Sequence, residues 1–284
     1  MNCVICQKAT KYVFAVDDYS IFECRDCGHR MTRPKEIKSH VNKTYSDNYF
    51  FCGGAGYPNY LEEKSLLIKH GYRYGNILAK YIRSQGKVLD VGSAAGFVLR
   101  GLIDVGWEGY GVEPNETMAE YARNRLGLNV KTGTIESFQS EKKFDLVCLI
   151  QVIAHLVDPN ETLQILQKIL SNGGFILVET WNYRSWTAKS FGKLWHEYSP
   201  PSVLHWFCPE SLNYLFSRFN FEFVARGRPS KKIIWKHAKS LILYNINKFP
   251  FISQIEKILT TIPDKFSIPY PSEDLFWSLY KLKE

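Results

Sequence analysis

The chain has 284 residues, 45% of them hydrophobic and 15% aromatic, and a formal net charge of +8. That length buries one large core plus a small accessory module. No apolar run reaches the roughly 18 residues of a membrane-spanning helix, and the amino terminus lacks the apolar stretch of a secretory signal. A cytoplasmic setting is therefore expected, in which the seven cysteines are thiols or metal ligands rather than disulfides.

Cys3-x2-Cys6 and Cys24-x2-Cys27 open the chain, with seventeen residues between them. Each pair presents two thiolates to one ion. Lys11 to Val16 and Tyr19 to Glu23 read as the strands of a hairpin turning at Asp17-Asp18. This is the spacing of a four-cysteine tetrahedral zinc ribbon, with a redox pair or iron as the alternatives. Four thiolates leave no open coordination position, so the expected role of Cys3, Cys6, Cys24 and Cys27 is structural. His29 is a further ligand type that a complete set of four cysteines does not need. The ribbon is expected over residues 1–40, too short for a sufficient core of its own, with the metal supplying its folding free energy.

Residues 41–84 form an aromatic lid or linker followed by a helix. Tyr45, Tyr49, Phe50, Phe51, Tyr57 and Tyr60 stand among Asn and Gly. The glycines argue for a mobile loop and the rings for something to cover; a packing connector is the other reading. Residues 61–84 then read as one amphipathic helix or two, with Leu66, Leu67, His70, Tyr74, Ile77, Leu78 and Tyr81 on the apolar face.

The third unit, residues 85–284, opens with Lys87-Val-Leu-Asp-Val-Gly-Ser-Ala-Ala-Gly96. It reads as a buried strand, a small-residue turn and the start of a helix with Phe97, Val98, Leu99, Leu102 and Ile103 on its apolar face. A second strand, Gly109 to Glu113, ends in an acid seventeen residues past Gly96. Beyond the carboxyl ends of parallel strands, such a turn admits a ligand to the backbone and such an acid holds ribose hydroxyls. A dinucleotide fingerprint needs G-x-G-x-x-G, and Ala94 occupies the turn instead. Asp90 also disfavours a pyrophosphate and favours a cation. No G-x-x-x-x-G-K-[ST] loop is present. S-adenosylmethionine, with a sulfonium and an ammonium and no phosphate, suits these residues best.

The chain resembles a class I S-adenosylmethionine-dependent methyltransferase. The resemblance rests on Val88 to Gly96, Gly111-Val-Glu113-Pro114, Gly133-Thr134-Ile135-Glu136, Phe144-Asp145-Leu146-Val147 and Asn172-Gly173-Gly174 through Glu179, over roughly residues 75–225 in order and spacing. It implies an α/β, Rossmann-like seven-stranded sheet, closed by Phe221 to Arg226 and Leu275 to Lys281 as an antiparallel pair. It further implies that Asp90, Gly92, Ser93 and Gly96 line the methionine end of the cofactor. Glu113 would bind the ribose beside Pro114 and Asn115, Thr134 and Ile135 would contact adenine, Gln151 would face the sulfonium, and Tyr49 would close the lid. Ala94 replaces a usual glycine, and Ala154 stands where relatives often carry Glu before the histidine, which puts the role of His155 in doubt. The ribbon ahead of such a core resembles enzymes that methylate nucleotide-linked sugars or act in polysaccharide pathways, although zinc ribbons also occur in nucleic-acid-binding proteins.

Methyl transfer to a hydroxyl or amine needs an aligned acceptor, a dry site and a base with a pKa near 7. His155 follows the strand Phe144 to Ile150. His205 lies in the aromatic loop Trp181 to Phe207, with His196, Glu197 and Tyr198 as neighbours that orient or assist. His205 is the first choice as base and His155 the second. The expected reaction is methylation of a small acceptor, a nucleotide-linked or glycan sugar, at oxygen, with carbon methylation as a variant. A nucleic-acid (RNA) methyltransferase and a non-catalytic cofactor- or zinc-binding scaffold are the alternatives. Against the first, no Asn-Pro-Pro-Tyr or Asp-Pro-Pro-Tyr follows the fourth strand.

Residues 226–284 hold eleven Lys and Arg against five Asp and Glu. Between the last two strands, residues 229–268 read as a basic helical insertion, with one helix over Lys231 to Lys248 and a second over Ile252 to Ile262. Residues 231–262 suit peripheral contact with an anionic membrane, self-association into a homo-oligomer or packing on the ribbon, or the steering of a phosphorylated substrate.

Overall fold

The computed structural model describes residues 1–53, 57–230, 232–246, 263–264, 266–270 and 272–283. β1 (Thr10–Val16) and β2 (Tyr19–Cys24) form the amino-terminal hairpin, and β3 (Arg30–Met31) adds antiparallel to β2. Then come α1 (Ile37–Thr44), α2 (Asp47–Phe51), a 3-10 turn over Tyr60–Glu63 and α3 (Lys64–Leu78). The large unit runs β4 (Lys87–Val91), α4 (Phe97–Asp104), β5 (Glu108–Glu113), α5 (Glu116–Leu126), β6 (Asn129–Thr132), β7 (Phe144–Ile150), α6 (Pro159–Ile169) and β8 (Leu170–Trp181). It continues with α7 (Trp186–Phe191), β9 (His205–Trp206), α8 (Pro209–Ser217), β10 (Phe221–Gly227), β11 (Lys232–Ile234), α9 (Trp235–Ile246), β12 (Ser267–Pro269) and β13 (Leu275–Leu282).

The main sheet has seven strands in the order β10-β13-β8-β7-β4-β5-β6. β6, β5, β4, β7 and β8 pair in parallel, and β13 lies antiparallel between β8 and β10. This is the α/β, Rossmann-like sheet the sequence implies, with the expected closing pair. β7 is central, and its near-continuous apolar run is what a parallel strand covered on both faces requires. α6 starts where Asp158 accepts from the amides of Asn160 and Glu161 and Pro159 fills the first turn, and it buries Leu163, Leu166 and Ile169.

α3 crosses α4 backbone to backbone. A Cβ at Gly71 would stand 2.3 Å from the Val98 carbonyl oxygen, and one at Gly101 2.3 Å from that of Ile68. Two glycines therefore set the height of α3 over the sheet, and with it the position of His70 and Tyr74.

Three details depart from the sequence reading. β8 begins at Leu170, ahead of the expected glycine turn. Residues Lys232–Ile234 form a strand rather than helix, because the β-branched pair Ile233-Ile234 lies across from Ile268 and Ser267 in β12; the helix starts at Trp235. The expected second helix over 252–262 lies outside the described residues. The ribbon shares its sheet with the large unit, since β9 pairs with β3 to complete a four-stranded sheet in the order β1-β2-β3-β9. Among the described residues no helix is long and apolar enough to cross a membrane.

In an ordinary helix interior, Gly→Ala adds about 1 kcal/mol of stability. At the α3–α4 crossing the sign reverses: Gly101→Ala lowers stability by about 1–3 kcal/mol through overpacking, measured as a fall in urea midpoint at unchanged m-value.

Candidate active site

After Asp90 the chain turns through three left-handed residues, Gly92 (φ 65°), Ala94 (φ 46°) and Gly96 (φ 76°). A Cβ at Gly92 would stand 2.7 Å from the Val152 side chain, so glycine is required there twice over. Ala94 adopts the same region at a cost of about 1–2 kcal/mol, offset by its amide, which donates to Glu113 Oε2 at 2.8 Å. The Asn115 amide donates to the other oxygen, Oε1, also at 2.8 Å. One buried carboxylate thus ties the turn after β4 to the turn after β5.

The acids here are strongly perturbed. Burial, with the Glu113 charge second, pushes Asp90 up to about 8. Burial pushes Glu113 up to about 7, against its two amide donors. Beside them Ser93 Oγ is buried with no hydrogen-bond partner. At the end of β8 the fully buried Glu179 accepts from Gln151 Nε2 at 2.8 Å and meets His70 Nε2 at 2.9 Å and the Tyr74 hydroxyl. Arg73 Nη2 stands 3.0 Å from the other His70 nitrogen. Sequence reasoning missed this cluster. Its signal was His70 and Tyr74 one turn apart on an apolar helix face, two polar tips that need a buried acceptor.

Asp90, Gly92, Ser93, Gln151, Glu179, His70, Tyr57 and Tyr60 enclose a cavity of about 60 Å³. Its roof is the aromatic segment. Tyr60 stacks on Phe97 with ring centroids 5.6 Å apart, Tyr57 meets Tyr60 edge-on at 4.8 Å, and Tyr49 lies 6.2 Å from Tyr57. Asn115 Nδ2 holds the Tyr45 carbonyl at 3.0 Å. α9 clamps the lid: Lys236 reaches Glu62 at 2.9 Å, His237 Nδ1 reaches Glu63 at 3.2 Å, and the His237 ring packs on Tyr57 at 4.6 Å. Organic ligands occupy roughly 300–1,000 Å³, so this is a shut lid over a polar, acid-lined floor.

The other expected residues are dispersed. Thr134 caps the 3-10 turn over Ile135–Ser137 and lines a depression of about 170 Å³ with Val112 and Phe138, while Ile135 is buried. Pro114 lines a cleft of about 460 Å³ with Asn115, Tyr45 and Asp47. His155 Nδ1 contacts the Ser202 carbonyl at 2.6 Å, and its ring packs against Tyr45. His205, the first choice as base, lies apart from the Asp90 cavity. It sits in the seam between ribbon and large unit, Nδ1 3.0 Å from His29 Nε2, and burial takes it down to about 4. The Tyr198 hydroxyl accepts from Arg30 Nη1 at 2.6 Å and faces the ribbon. Glu197 Oε1 lies 3.5 Å from His196 Nε2, and the His196 ring meets Trp181 edge-on at 4.8 Å, two residues beyond Glu179. Burial, with the Glu197 charge a lesser cause, raises the hydroxyls of Tyr49, Tyr57 and Tyr270.

The four ribbon thiols converge. All four sulfurs lie within 4.8 Å of one another, with Cys3 to Cys27 at 3.6 Å and Cys6 to Cys24 at 3.3 Å. Tetrahedral coordination with Zn–S near 2.3 Å needs sulfurs about 3.8 Å apart, so the donor set fits one zinc ion. His29 lies apart from the cluster, in the His205 seam.

A mixed sheet with this strand order, a left-handed turn after β4 and an acid ending β5 define an α/β fold of the Rossmann-like class. The chain belongs to the methyltransferase-domain family, whose sequence pattern matches residues 67–226. It is similar to the ubiquinone biosynthesis O-methyltransferases of Bartonella tribocorum, 29% identical over 42% of this chain and 49% of that protein, and of Rickettsia akari, 30% identical over 49% and 56%. The chain thus spans about half the length of these curated relatives. Similar folds include an S-adenosylmethionine-dependent methyltransferase from Thermotoga maritima (TM-score 0.50, 21% identity, 77% of this chain and 92% of that one). Magnesium protoporphyrin IX methyltransferase from Synechocystis, solved with S-adenosylhomocysteine, is another (TM-score 0.50, 10% identity, 78% and 84%).

Because the folded-state pKa of Asp90 is raised, its destabilising charge is absent below the unfolded value near 3.9 and grows as pH rises to about 8. Asp90→Asn removes that charge. The variant therefore melts close to wild type at pH 5 and several degrees above it at pH 8.5, read by calorimetry.

Proposed function

We propose that this enzyme transfers the methyl group of S-adenosylmethionine to an oxygen of a small hydroxylated acceptor, a nucleotide-linked or glycan sugar. The observation that carries the donor site is the pair of buried, pKa-raised acids Asp90 and Glu113 around the orphaned Ser93 hydroxyl. Such a floor gains stability from a cationic ligand with hydroxyls to share. Oxygen as the methylated atom is supported by relatives named for O-methylation. The sugar is supported by the resemblance of the ribbon-and-core arrangement to sugar-pathway enzymes.

In this reading Asp90 and Ser93 hold the charged methionine end, with Gly92 and Gly96 allowing close backbone approach. Glu113 takes the ribose hydroxyls beside Pro114, Thr134 and Ile135 flank the adenine, and Gln151, oriented by Glu179, faces the reacting side. Bound S-adenosylmethionine supplies a methyl carbon already activated by its sulfonium. The protein then aligns the acceptor, excludes water under Tyr49, Tyr57 and Tyr60, and takes one proton. His196 takes that proton, and Glu197, 3.5 Å away, stabilises the resulting imidazolium. In this reading His155, Tyr198 and His205 pack and orient, and His205 and His155 are the alternative bases.

The ribbon holds one structural zinc ion through Cys3, Cys6, Cys24 and Cys27. The domain units proposed are 1–40, 41–84 and 85–284.

Incubation of the enzyme and methyl-labelled cofactor with sugar nucleotides, glycans and hydroxylated aromatics, read by mass spectrometry, should label a sugar oxygen; label on an aromatic alone would sink the sugar assignment. With that acceptor His196→Ala lowers kcat by about 10²-fold or more, with cofactor affinity within about twofold. A normal kcat for His196→Ala beside a collapsed one for His205→Ala would return the base to His205. Metal analysis should find one zinc per chain. Chelation should lower Tm in a single step shared by ribbon and core, because β3 and β9 belong to one sheet; a metal-free chain of unchanged Tm would end the zinc assignment.

A further inference from the structure

A cavity of about 490 Å³ opens between the ribbon and the large unit, and the residues lining it are separate from those around Asp90. Its charge is one-sided. Arg30, Arg184, Lys189 and Lys193 line it against a single carboxylate, Glu23. Glu23 is already engaged, 2.6 Å from Arg30 Nε. The acidic partner of Arg184 among the described residues is the exposed Glu210, at 3.6 Å. Lys189 and Lys193 are exposed, and neither meets an acidic partner among the described residues. Cations gathered on one wall repel one another until an anion enters.

The two arginines of the wall are held by an aromatic ring. The Arg30 guanidinium lies 4.3 Å over the buried Tyr183 ring and donates to the Tyr198 hydroxyl at 2.6 Å. Arg184 lies 5.6 Å over the same ring, and its Nε donates to the Tyr183 hydroxyl at 3.1 Å. That hydroxyl donates onward to the Gly28 carbonyl at 2.5 Å, beside the zinc knuckle. Two planar guanidiniums fixed on one ring match phosphate oxygens, and two lysines add mobile charge. The volume falls in the range of organic ligand sites and far exceeds one phosphate group.

We propose that this junction binds the phosphoryl end of a phosphate-bearing small molecule, a phosphomonoester or diphosphate whose organic part fills the rest of the cavity. The site goes beyond the donor reading and does not depend on the methyl acceptor being phosphorylated.

The test is calorimetry on the full chain, with and without saturating S-adenosylhomocysteine so that the donor site is accounted for separately. The probes are uridine diphosphate, uridine, inorganic pyrophosphate and a single-stranded RNA oligonucleotide. Uridine diphosphate should bind equally in both conditions, at least tenfold more tightly than uridine and more tightly than pyrophosphate, and less tightly at high salt. The double variant Lys189→Glu/Lys193→Glu should weaken it at least tenfold at unchanged Tm and S-adenosylhomocysteine affinity. The proposal is overturned by equal binding of uridine and its diphosphate, by pyrophosphate binding as tightly as the diphosphate, by an unaffected double variant, or by no binding. RNA binding more tightly than the diphosphate would overturn it in favour of a nucleic-acid surface.

Discussion

The carboxylate of Glu113 is the constraint on which the donor end of the molecule depends. It is buried and accepts one amide from each of the turns after β4 and β5. Without it, Ala94 would hold a left-handed conformation with no compensation, and the helix start at Phe97 would lose its fixed entry. The same burial that makes the bond strong makes the charge expensive. The site is therefore poised between a structural acid and a ligand-binding one.

A second constraint comes from above the sheet. The contact of Gly71 with Gly101 lets α3 lie low enough for His70 and Tyr74 to reach Glu179. Glu179 in turn fixes Gln151, itself left-handed with φ 57°. A backbone approach in one layer thus sets a side-chain amide at the mouth of the cavity in another. Neither glycine belongs to a binding motif, yet both belong to the site's construction.

The strands and the donor turn were legible because their signals are local. The run of β7, the Asp158-Pro159 helix start and the small-residue turn after Asp90 each state their structure within a few residues. What the sequence did not reveal lies between distant segments. His205 reads as a histidine of an aromatic loop until β9 pairs with β3 and buries it against His29, 176 residues away. His70 reads as a helix-face residue until Glu179 appears beneath it. The basic carboxyl-terminal segment reads as a membrane, partner, ribbon-packing or substrate-steering surface, and in its described part Lys236 and His237 of α9 meet Glu62 and Glu63 beside the aromatic segment. Charge counts say how many cations there are, and only the fold says which acids they meet.

The shut lid has a kinetic consequence. A cavity of about 60 Å³ under Tyr57 and Tyr60 is smaller than a nucleoside cofactor or its demethylated product. Entry and exit therefore cross the same barrier, the parting of the aromatic roof from the floor. The exposed Lys236–Glu62 contact is part of that barrier and is screened by salt. Ionic strength is thereby a handle on that contact that acts more than a helix away from Asp90 and Glu113.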